Sequence, residues 1–274
     1  MSFTNQTIVT TGASDGIGAE LARQLATVRR ERAGLILAAR SEEKLRAVAD
    51  ECTRLGAHVE WVMADVSVRA DCDRLIAVAA QRFGRIDTLY NNAGLSAHAL
   101  LREVPPDKLD WYEYLMRVNY WGTLWCTYAA LPHLIASKGR IVGVSSHAGL
   151  FGVPGRTAYS GSKFAVAGML EALRAEVKPL GVSVTVVYPG VVDTAIRLHG
   201  FNAQGQQAGV SGLREEGMMP VETCVRLMRK AVDARQRECV MTAKARFGRW
   251  MKLLAPGWVE RKTMEAVKDD FRPQ

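Results

Sequence analysis

The sequence predicts an α/β protein in which a parallel, seven-stranded sheet carries helices on both faces. Short β-branched or apolar runs alternate with helical stretches along the chain, and this alternation requires parallel pairing with right-handed crossovers. No linker, repeat or low-complexity segment interrupts the alternation. We therefore predict a single domain that spans residues 1–274.

Each predicted element has a local reason. Residues 7–11 and 182–190 are rich in β-branched side chains and residues 34–39 are almost wholly apolar, as is typical of strands buried on both faces. Residues 41–56 are predicted as a helix with Ser41 at its N-cap and Gly56 just past its end. The other predicted strands are residues 58–65, 85–94, 137–146 and 237–242, and the other predicted helices are residues 19–30, 69–84, 107–135, 156–181 and 219–235.

Two segments are less regular. Residues 107–135 are predicted as one long helix that Pro132 breaks near its end. Residues 191–219 are rich in glycine and glutamine and have no clear period, so we predict a mobile loop with a short helix. We assign residues 195–217 as the substrate-loop region, because such a loop is well placed to close over a substrate.

Composition narrows the possible partners. Hydrophobic residues make up 48% of the chain and charged residues 23%, which is typical of a soluble globular protein. The net charge of +8 would suit nucleic acid, an anionic membrane surface or a phosphorylated cofactor. Because no nucleic-acid-binding motif accompanies this charge, we predict no nucleic-acid partner.

Cysteine usage and the chain start indicate the compartment. The five cysteines are scattered without a C-x-x-C pair, which favours free thiols in a reducing environment. We predict no signal peptide and no membrane-spanning segment, and therefore a cytoplasmic protein. Neither the cysteines nor the histidines have metal-ligand spacing, so no metal site is predicted.

A glycine cluster follows the first predicted strand. Gly12, Gly16 and Gly18 lie between residues 7–11 and a helical stretch. In that arrangement backbone N–H groups and a helix N-terminus face a phosphate. Gly12 would allow the tight turn, Gly16 the close approach of a ligand and Gly18 the packing of helix on strand. The cluster therefore predicts a dinucleotide site.

The residues after the second and third strands indicate which dinucleotide binds. Arg40 stands where an acidic residue would accept hydrogen bonds from the ribose of NAD, and Ser41 and Ser14 are close to it in the predicted fold. An arginine there would pair with the 2′-phosphate of NADP, so we predict NADP(H). Asp65 either accepts a hydrogen bond from the adenine amino group or caps the helix that starts near Arg69.

Polar and small residues also follow the later strands. Residues 91–94 (Asn-Asn-Ala-Gly), Ser146 and the pair Pro189-Gly190 all come at predicted strand ends. Because ligands of such sheets sit at the carboxyl ends of the strands, these residues should lie in one cleft with the glycine cluster.

A tyrosine and a lysine four residues apart lie in the predicted helix 156–181. Tyr159 and Lys163 share one face of that helix. A neighbouring ammonium favours the phenolate, so Lys163 is expected to lower the pKa of Tyr159 below its usual value of about 10. Ser146 is placed to hold a carbonyl oxygen against the tyrosine. Asn119, within the long helix, either kinks it around a water or faces solvent.

Together these motifs resemble the short-chain dehydrogenase/reductase family, over roughly residues 5–195. The matching pieces appear in the family's order and include the Thr-Gly-Ala-Ser-Asp-Gly-Ile-Gly run, the Asn-Asn-Ala-Gly run, Asn119, Ser146, Tyr159, Lys163, and Pro189-Gly190 with Thr194. The resemblance implies a Rossmann-type, doubly wound fold and hydride transfer between a nicotinamide and a carbonyl carbon. Residues 219–228 and 258–271 resemble the branch that contains hydroxysteroid dehydrogenases.

The resemblance implies a role for each catalytic residue. Tyr159 is the proton donor in reduction, Lys163 lowers its pKa and binds the nicotinamide ribose, and Asn119 holds a water in the proton relay. Ser146 orients the substrate oxygen; Ser145 competes for that role, but the family's thirteen-residue gap to the tyrosine favours Ser146. The implied cofactor contacts are Gly12, Ser14, Asp15, Gly16, Ile17, Gly18, Arg40, Asp65, Val66, Asn92, Ala93, Gly94, Tyr159, Lys163, Pro189, Gly190, Val192 and Thr194.

Several functions stay open at this level. The first is an NADP(H)-dependent carbonyl reductase or alcohol dehydrogenase that acts on a lipophilic or steroid-like small molecule, as a homodimer or homotetramer. A reductase of 3-oxoacyl thioesters, with an acidic carrier protein, would also suit the basic surface, and a non-catalytic NADP sensor or scaffold would keep the fold. Residues 243–274 form a C-terminal amphipathic extension that suits peripheral membrane contact, a subunit contact or a lid.

Overall fold

The structure, a computed structural model, describes residues 6–29, 33–209 and 217–267. Within these ranges seven strands form one sheet, and every neighbouring pair is parallel. The strands are β1 (Gln6–Thr11), β2 (Ala33–Ala39), β3 (His58–Met63), β4 (Thr88–Asn91), β5 (Arg140–Val144), β6 (Ser183–Tyr188) and β7 (Glu238–Val240).

Helices connect consecutive strands and cover both faces of the sheet. The α-helices of the described residues are α1 (Gly16–Arg29), α2 (Glu42–Arg54), α3 (Arg69–Phe83), α4 (Asp110–Met116), α5 (Gly122–Ala136), α6 (Thr157–Val177), α7 (Val221–Asp233), α8 (Ala243–Leu254) and α9 (Pro256–Val267). No helix in the described ranges combines the length and the apolar character needed to cross a bilayer.

The strand order places a crevice in the middle of the sheet. The order is β3-β2-β1-β4-β5-β6-β7, so the chain winds outward first on one side of β1 and then on the other. Between β1 and β4 the connections turn in opposite directions, which is where open α/β sheets bind ligands. The predicted fold class, a doubly wound parallel sheet of seven strands, is confirmed.

Two apolar layers hold the helices to the sheet. One layer joins α1, α2 and α7 to one face, with Leu21, Leu45 and Met228 fully buried. The other layer joins α3, α5 and α6 to the opposite face, with Leu75 and Leu170 fully buried. Burial of apolar side chains is the main favourable contribution to folding, so these two layers fix where the strand ends lie.

The region predicted as one long helix is interrupted. The helical path runs through α4 and α5, but the residues between them, Arg117–Trp121, form a π-helical turn. Such turns add one residue to the helical circuit and occur often at functional sites. The predicted break at Pro132 was therefore wrong, because α5 continues through that residue to Ala136. The interruption lies at the π-helical turn instead, since amphipathic periodicity does not report a single inserted residue.

The segment after β6 contains the predicted short helix over its described part. A 3₁₀ turn spans Ala195–Arg197, and backbone hydrogen bonds join Phe201 to Ser96 and to His98. These bonds tie the segment to the loop that follows β4. Residues 210–216 of the predicted substrate loop lie outside the described residues, and the predicted mobility stays a prediction.

Two helical glycines offer a matched test of packing. A methyl group on Gly18 would overlap the Gly12 carbonyl and lie 2.6 Å from Asn92 Nδ2, whereas the space around Gly168 on α6 is open. We expect Gly18→Ala to lower the free energy of unfolding by about 1–3 kcal/mol through overpacking. Gly168→Ala should raise it by roughly 0.8–1 kcal/mol, because alanine has the higher helix propensity. Urea unfolding measures both; equal stability of the two variants would contradict this packing.

Candidate active site

A cavity of about 830 Å³ lies at the carboxyl ends of the strands. Almost all the predicted site residues line it. They are Gly12, Ser14, Asp15, Gly16, Ile17, Arg40, Asp65, Val66, Asn92, Ala93, Gly94, Ser146, Tyr159, Lys163, Pro189, Gly190, Val192 and Thr194. Gly18 and Asn119 lie outside this lining and contact it from behind. The structure therefore brings the separate sequence motifs to one place.

The glycine turn after β1 is built for close backbone contacts. Gly12 has a φ of +65°, and a Cβ there would lie 2.8 Å from the Ala93 Cα. Asn92 closes the turn from the other side, because its Nδ2 donates to the carbonyls of Thr11 and Gly12 at 3.0 and 3.1 Å. Asn92 therefore holds the ends of β1 and β4 together.

The first turn of α1 faces the cavity. Its first four N–H groups have no partner within the helix. Asp15 Oδ1 accepts from the Gly16 N–H at 2.7 Å, whereas the Ile17 N–H has no acceptor among the described residues. A free N–H at a helix N-terminus attracts an anion, so this turn fits a phosphate group.

The cavity ends in a basic region beside β2. Arg40 and Lys44 both line it, and their side chains have different partners. Arg40 Nη1 donates to the Tyr114 hydroxyl at 3.0 Å, whereas Lys44 Nζ lies 3.8 Å from the Asp15 carboxylate. The sequence analysis missed Lys44 and Tyr114. Lys44 could have been found from its place in the first turn of α2, but Tyr114 belongs to a distant element.

Asp65 does not cap the following helix with its side chain. Its Oδ1 accepts from the Ser67 N–H at 2.8 Å, whereas α3 begins after Val68 without a side-chain cap. Asp71 Oδ2 in turn accepts from the Asp65 N–H at 2.9 Å. The predicted capping role is therefore not found. Asp65 also lines the cavity, and its predicted hydrogen bond to an adenine amino group stays a prediction.

The two serines after β5 have different partners. Ser146 lies at the cavity wall with Tyr159, whose pKa its hydroxyl lowers, and its Oγ accepts from the Ala148 N–H at 3.2 Å. Ser145 is buried and donates to the Lys163 carbonyl at 3.0 Å, which ties the strand end to α6. A Cβ on Gly149 would lie 2.9 Å from that same carbonyl, so α6 approaches this turn closely.

Lys163 is buried next to the tyrosine. Its Nζ donates to the Val144 carbonyl at 2.9 Å and lies 5.7 Å from the centre of the Tyr159 ring. Burial disfavours the ammonium and lowers the pKa of Lys163 to about 8. A lysine with this pKa changes its charge close to neutral pH.

The expected lowering of the tyrosine pKa is not found. Burial raises the pKa of Tyr159 above its usual value, and the hydrogen bond with Ser146 and the charge of Arg156 only partly oppose this effect. Lys163 does not offset the burial, because with a pKa of about 8 it is already neutral at the pH where Tyr159 ionises. Arg156, whose guanidinium carbon lies 5.8 Å from the ring centre, is the cation that sequence analysis missed.

Asn119 does not face solvent, and its side chain makes three hydrogen bonds. It is buried in the π-helical turn, and its Oδ1 accepts from the Leu95 N–H at 2.8 Å. Its Nδ2 donates to the Leu95 carbonyl at 3.0 Å and to Ser162 Oγ at 2.9 Å. Asn119 therefore links the loop after β4 to α6, one residue before Lys163.

The other end of the cavity is mostly apolar. His147, on the turn after β5, packs against Gly190, where a Cβ would lie 2.9 Å from its ring. Burial lowers the pKa of His147 to about 4, so the ring is neutral at physiological pH. The residues that line this end and were not predicted are Leu95, Val153, Ile196, His199, Phe201 and Gln207.

Proteins of known sequence or structure share this architecture. An 11-beta-hydroxysteroid dehydrogenase-like 4A of Arabidopsis thaliana is 40% identical over 187 residues, which cover 68% of this chain and 60% of the relative. An 11-beta-hydroxysteroid dehydrogenase A of Sesamum indicum is 34% identical over 259 residues, which cover 92% and 73%. The chain thus spans about three fifths of the length of its Arabidopsis relative.

A solved structure and a family model agree with these relatives. An alcohol dehydrogenase from the archaeon Thermococcus sibiricus, complexed with 5-hydroxy-NADP, matches with a TM-score of 0.72 and 25% identity. The match covers 85% of this chain and 94% of that chain. The model described as short chain dehydrogenase matches residues 6–204. The resemblance that the motifs predicted is confirmed, and the chain belongs to the short-chain dehydrogenase family.

Proposed function

We propose that this protein is an NADP(H)-dependent oxidoreductase that interconverts a lipophilic ketone or aldehyde and the corresponding alcohol. The observation that carries the proposal is the hydroxyl pair of Ser146 and Tyr159 at the cavity wall, with Lys163 one helical turn away. Such a pair can hold and protonate a carbonyl oxygen, which is what a carbonyl reductase requires.

The residues present fit a phosphorylated dinucleotide. The glycine turn allows close approach, the first turn of α1 offers a free N–H group, and Arg40 and Lys44 supply positive charge where β2 ends. The Thermococcus sibiricus enzyme, which carries an NADP analogue, supports the same cofactor class. When bound, the nicotinamide would supply or accept the hydride.

The residues of the chain would handle the proton. Ser146 Oγ would hydrogen-bond the substrate oxygen, and the Tyr159 hydroxyl would donate its proton to that oxygen as the alcohol forms. Lys163 would hold positive charge beside the tyrosine. Asn119 and Ser162 would keep the backbone of α6 in register with the loop after β4.

The raised pKa of Tyr159 favours one direction at neutral pH. A tyrosine with a pKa above its usual value of about 10 is protonated near pH 7 and is ready to donate. Oxidation of the alcohol needs the phenolate, which forms only as the pH rises. We therefore propose that carbonyl reduction dominates near neutral pH and that alcohol oxidation becomes faster under alkaline conditions.

The shape of the far end of the cavity supports an apolar substrate. Leu95, Val153, Ile196 and Phe201 line it, and the neutral His147 adds no charge. The Arg156 guanidinium beside the Tyr159 ring is a cation in the same lining. A mostly apolar pocket with a few polar groups suits a lipophilic molecule. The hydroxysteroid dehydrogenase relatives support the same class of substrate.

Deprotonation of Lys163 should lower kcat/KM for NADPH at alkaline pH. Because its pKa is about 8 in the nucleotide-free protein, it is charged below that pH and neutral above it. We expect kcat/KM for NADPH, measured with saturating carbonyl substrate, to fall as pH rises through this value, since that ratio reports the free enzyme. Tyr159 titrates too high to cause the same fall. A ratio that stays level up to pH 10 would remove the charged lysine from the proposal.

The substrate class can be tested directly. NADPH absorbance would be followed with a panel of ketones, aldehydes, steroids and 3-oxoacyl thioesters. The proposal expects turnover with apolar carbonyl compounds. Turnover with thioesters alone would favour the acyl reductase, and NADPH binding without any turnover across the panel would favour the sensor.

A further inference from the structure

The helix that follows β7 presents an apolar face to solvent. On α8 the exposed fractions are 58% for Phe247, 68% for Trp250, 73% for Leu253 and 80% for Leu254. Phe247, Trp250 and Leu254 are three or four residues apart and therefore share one side of the helix. The Trp258 ring stands edge-on to Phe247, with centroids 6.3 Å apart, and extends the same surface. These five side chains are called the α8 apolar face.

The opposite side of α8 is fixed to the body of the protein. Ala245 is buried there, and Lys252 Nζ donates to the Leu150 carbonyl at 3.0 Å while lying 4.7 Å from the Phe164 ring centre. Arg249 forms an ion pair with Glu238 of β7. Because these contacts use the inner side of the helix, the apolar face is held outward rather than folded away.

Positive charge surrounds this surface. Residues 243–262 contain six lysines and arginines and one acidic residue, Glu260. Lys244, Arg246 and Arg261 are exposed and have no ion-pair partner within the part of the chain that the structure describes. Exposed aromatic and leucine side chains flanked by unpaired cations are the pattern of a helix that lies in the interface of an anionic membrane.

We propose that the α8 apolar face docks the protein onto the surface of an anionic lipid bilayer, without crossing it. The apolar side chains would enter the headgroup region and the flanking cations would meet lipid phosphates and carboxylates. A second copy of the chain fits this face less well. A two-fold contact sets the same patch against itself, so the unpaired cations would meet an equally basic patch and repel it.

The α8 apolar face lies near the end of the cavity that His147 lines. The inner side of α8 meets Leu150 and Phe151, and Phe151 in turn lies 6.2 Å from the His147 ring by their centroids. His147 lines the substrate end of the cavity. Docking through α8 would therefore bring that end of the cavity close to the bilayer.

Vesicle flotation tests the proposal. The full chain would be mixed with vesicles of phosphatidylcholine alone or of phosphatidylcholine with phosphatidylglycerol. We expect flotation with the anionic vesicles, weaker flotation as salt is raised, and a blue shift of tryptophan fluorescence on binding, since Trp250 and Trp258 enter the interface. The double variant Leu253→Asn/Leu254→Asn should bind roughly tenfold or more weakly, because it removes apolar area from the interface. Lys244→Gln/Arg246→Gln should bind less and lose part of the salt dependence.

A matched control separates this face from general surface apolarity. Leu180 is also exposed, but it lies in a 3₁₀ turn before β6, at the opposite end of the sheet. Leu180→Asn should float as the unchanged protein does, and all variants should keep their circular dichroism spectrum. Absence of flotation with anionic vesicles would overturn the proposal. So would sedimentation showing that the leucine variants only disperse an oligomer.

Discussion

Replacement of Tyr159 by phenylalanine is expected to lower kcat for carbonyl reduction roughly 10²–10⁴-fold, the usual contribution of general acid catalysis. The phenyl ring keeps the packing of α6 and removes only the hydroxyl, which lies with Ser146 at the cavity wall. NADPH would still meet the glycine turn and the basic end of the cavity, so its Kd should change little. Stopped-flow turnover and fluorescence titration with NADPH measure the two quantities separately.

A second tyrosine provides the control for this variant. Tyr128 on α5 is exposed and does not line the cavity, so Tyr128→Phe should leave both kcat and the Kd for NADPH unchanged. If Tyr159→Phe retained full turnover, another group would have to donate the proton. If it lost NADPH binding as well, the loss of activity would say nothing about proton transfer.

Arg40→Ala is expected to weaken NADPH binding roughly tenfold to a hundredfold, with little effect on NADH. Arg40 and Lys44 both line the cavity where β2 ends, and a guanidinium can donate two hydrogen bonds to a phosphate. NADH has no 2′-phosphate and would lose no such contact. The ratio of the two Kd values, from titrations at fixed ionic strength, measures the effect.

Two further variants sharpen the interpretation of that ratio. Arg46 lies on the same helix as Lys44 but is absent from the cavity lining, so Arg46→Ala should leave the ratio unchanged. Lys44→Ala should weaken NADPH less than Arg40→Ala, because Lys44 also faces Asp15 at 3.8 Å. Equal weakening of NADPH and NADH by Arg40→Ala would contradict a 2′-phosphate role.

The sequence alone was sufficient to predict features with a repeating pattern and conformations that only a few residue types adopt. The alternation of strands and helices predicted the seven parallel strands. The residues that follow the strands, among them Gly12 and Thr194, were predicted to share one cleft and do line the cavity. A glycine with positive φ, such as Gly12, is readable because other residues rarely adopt that conformation. The choice between Ser145 and Ser146 also agrees with the contacts that each makes.

The features that sequence did not give depend on contacts between distant elements. Tyr114 reaches Arg40 across 74 positions of sequence, which no local pattern reports. The pKa of Tyr159 depends on how deeply α6 is buried, and burial proved stronger than the nearby charge. The π-helical turn at Arg117–Trp121 inserts one residue into a period that otherwise looks uniform.

The closeness of α6 to the turn after β5 has a consequence for the rate of the proposed reaction. Gly149 leaves no room for a side chain against Ser145 Oγ and the Lys163 carbonyl, so the missing methyl group sets how far Tyr159 reaches into the cavity. A larger residue there would push the helix outward and move Tyr159 without changing any reacting atom. The side chain at position 149 thus sets the distance between α6 and the turn after β5, and with it the position of Tyr159, although glycine has no functional group of its own.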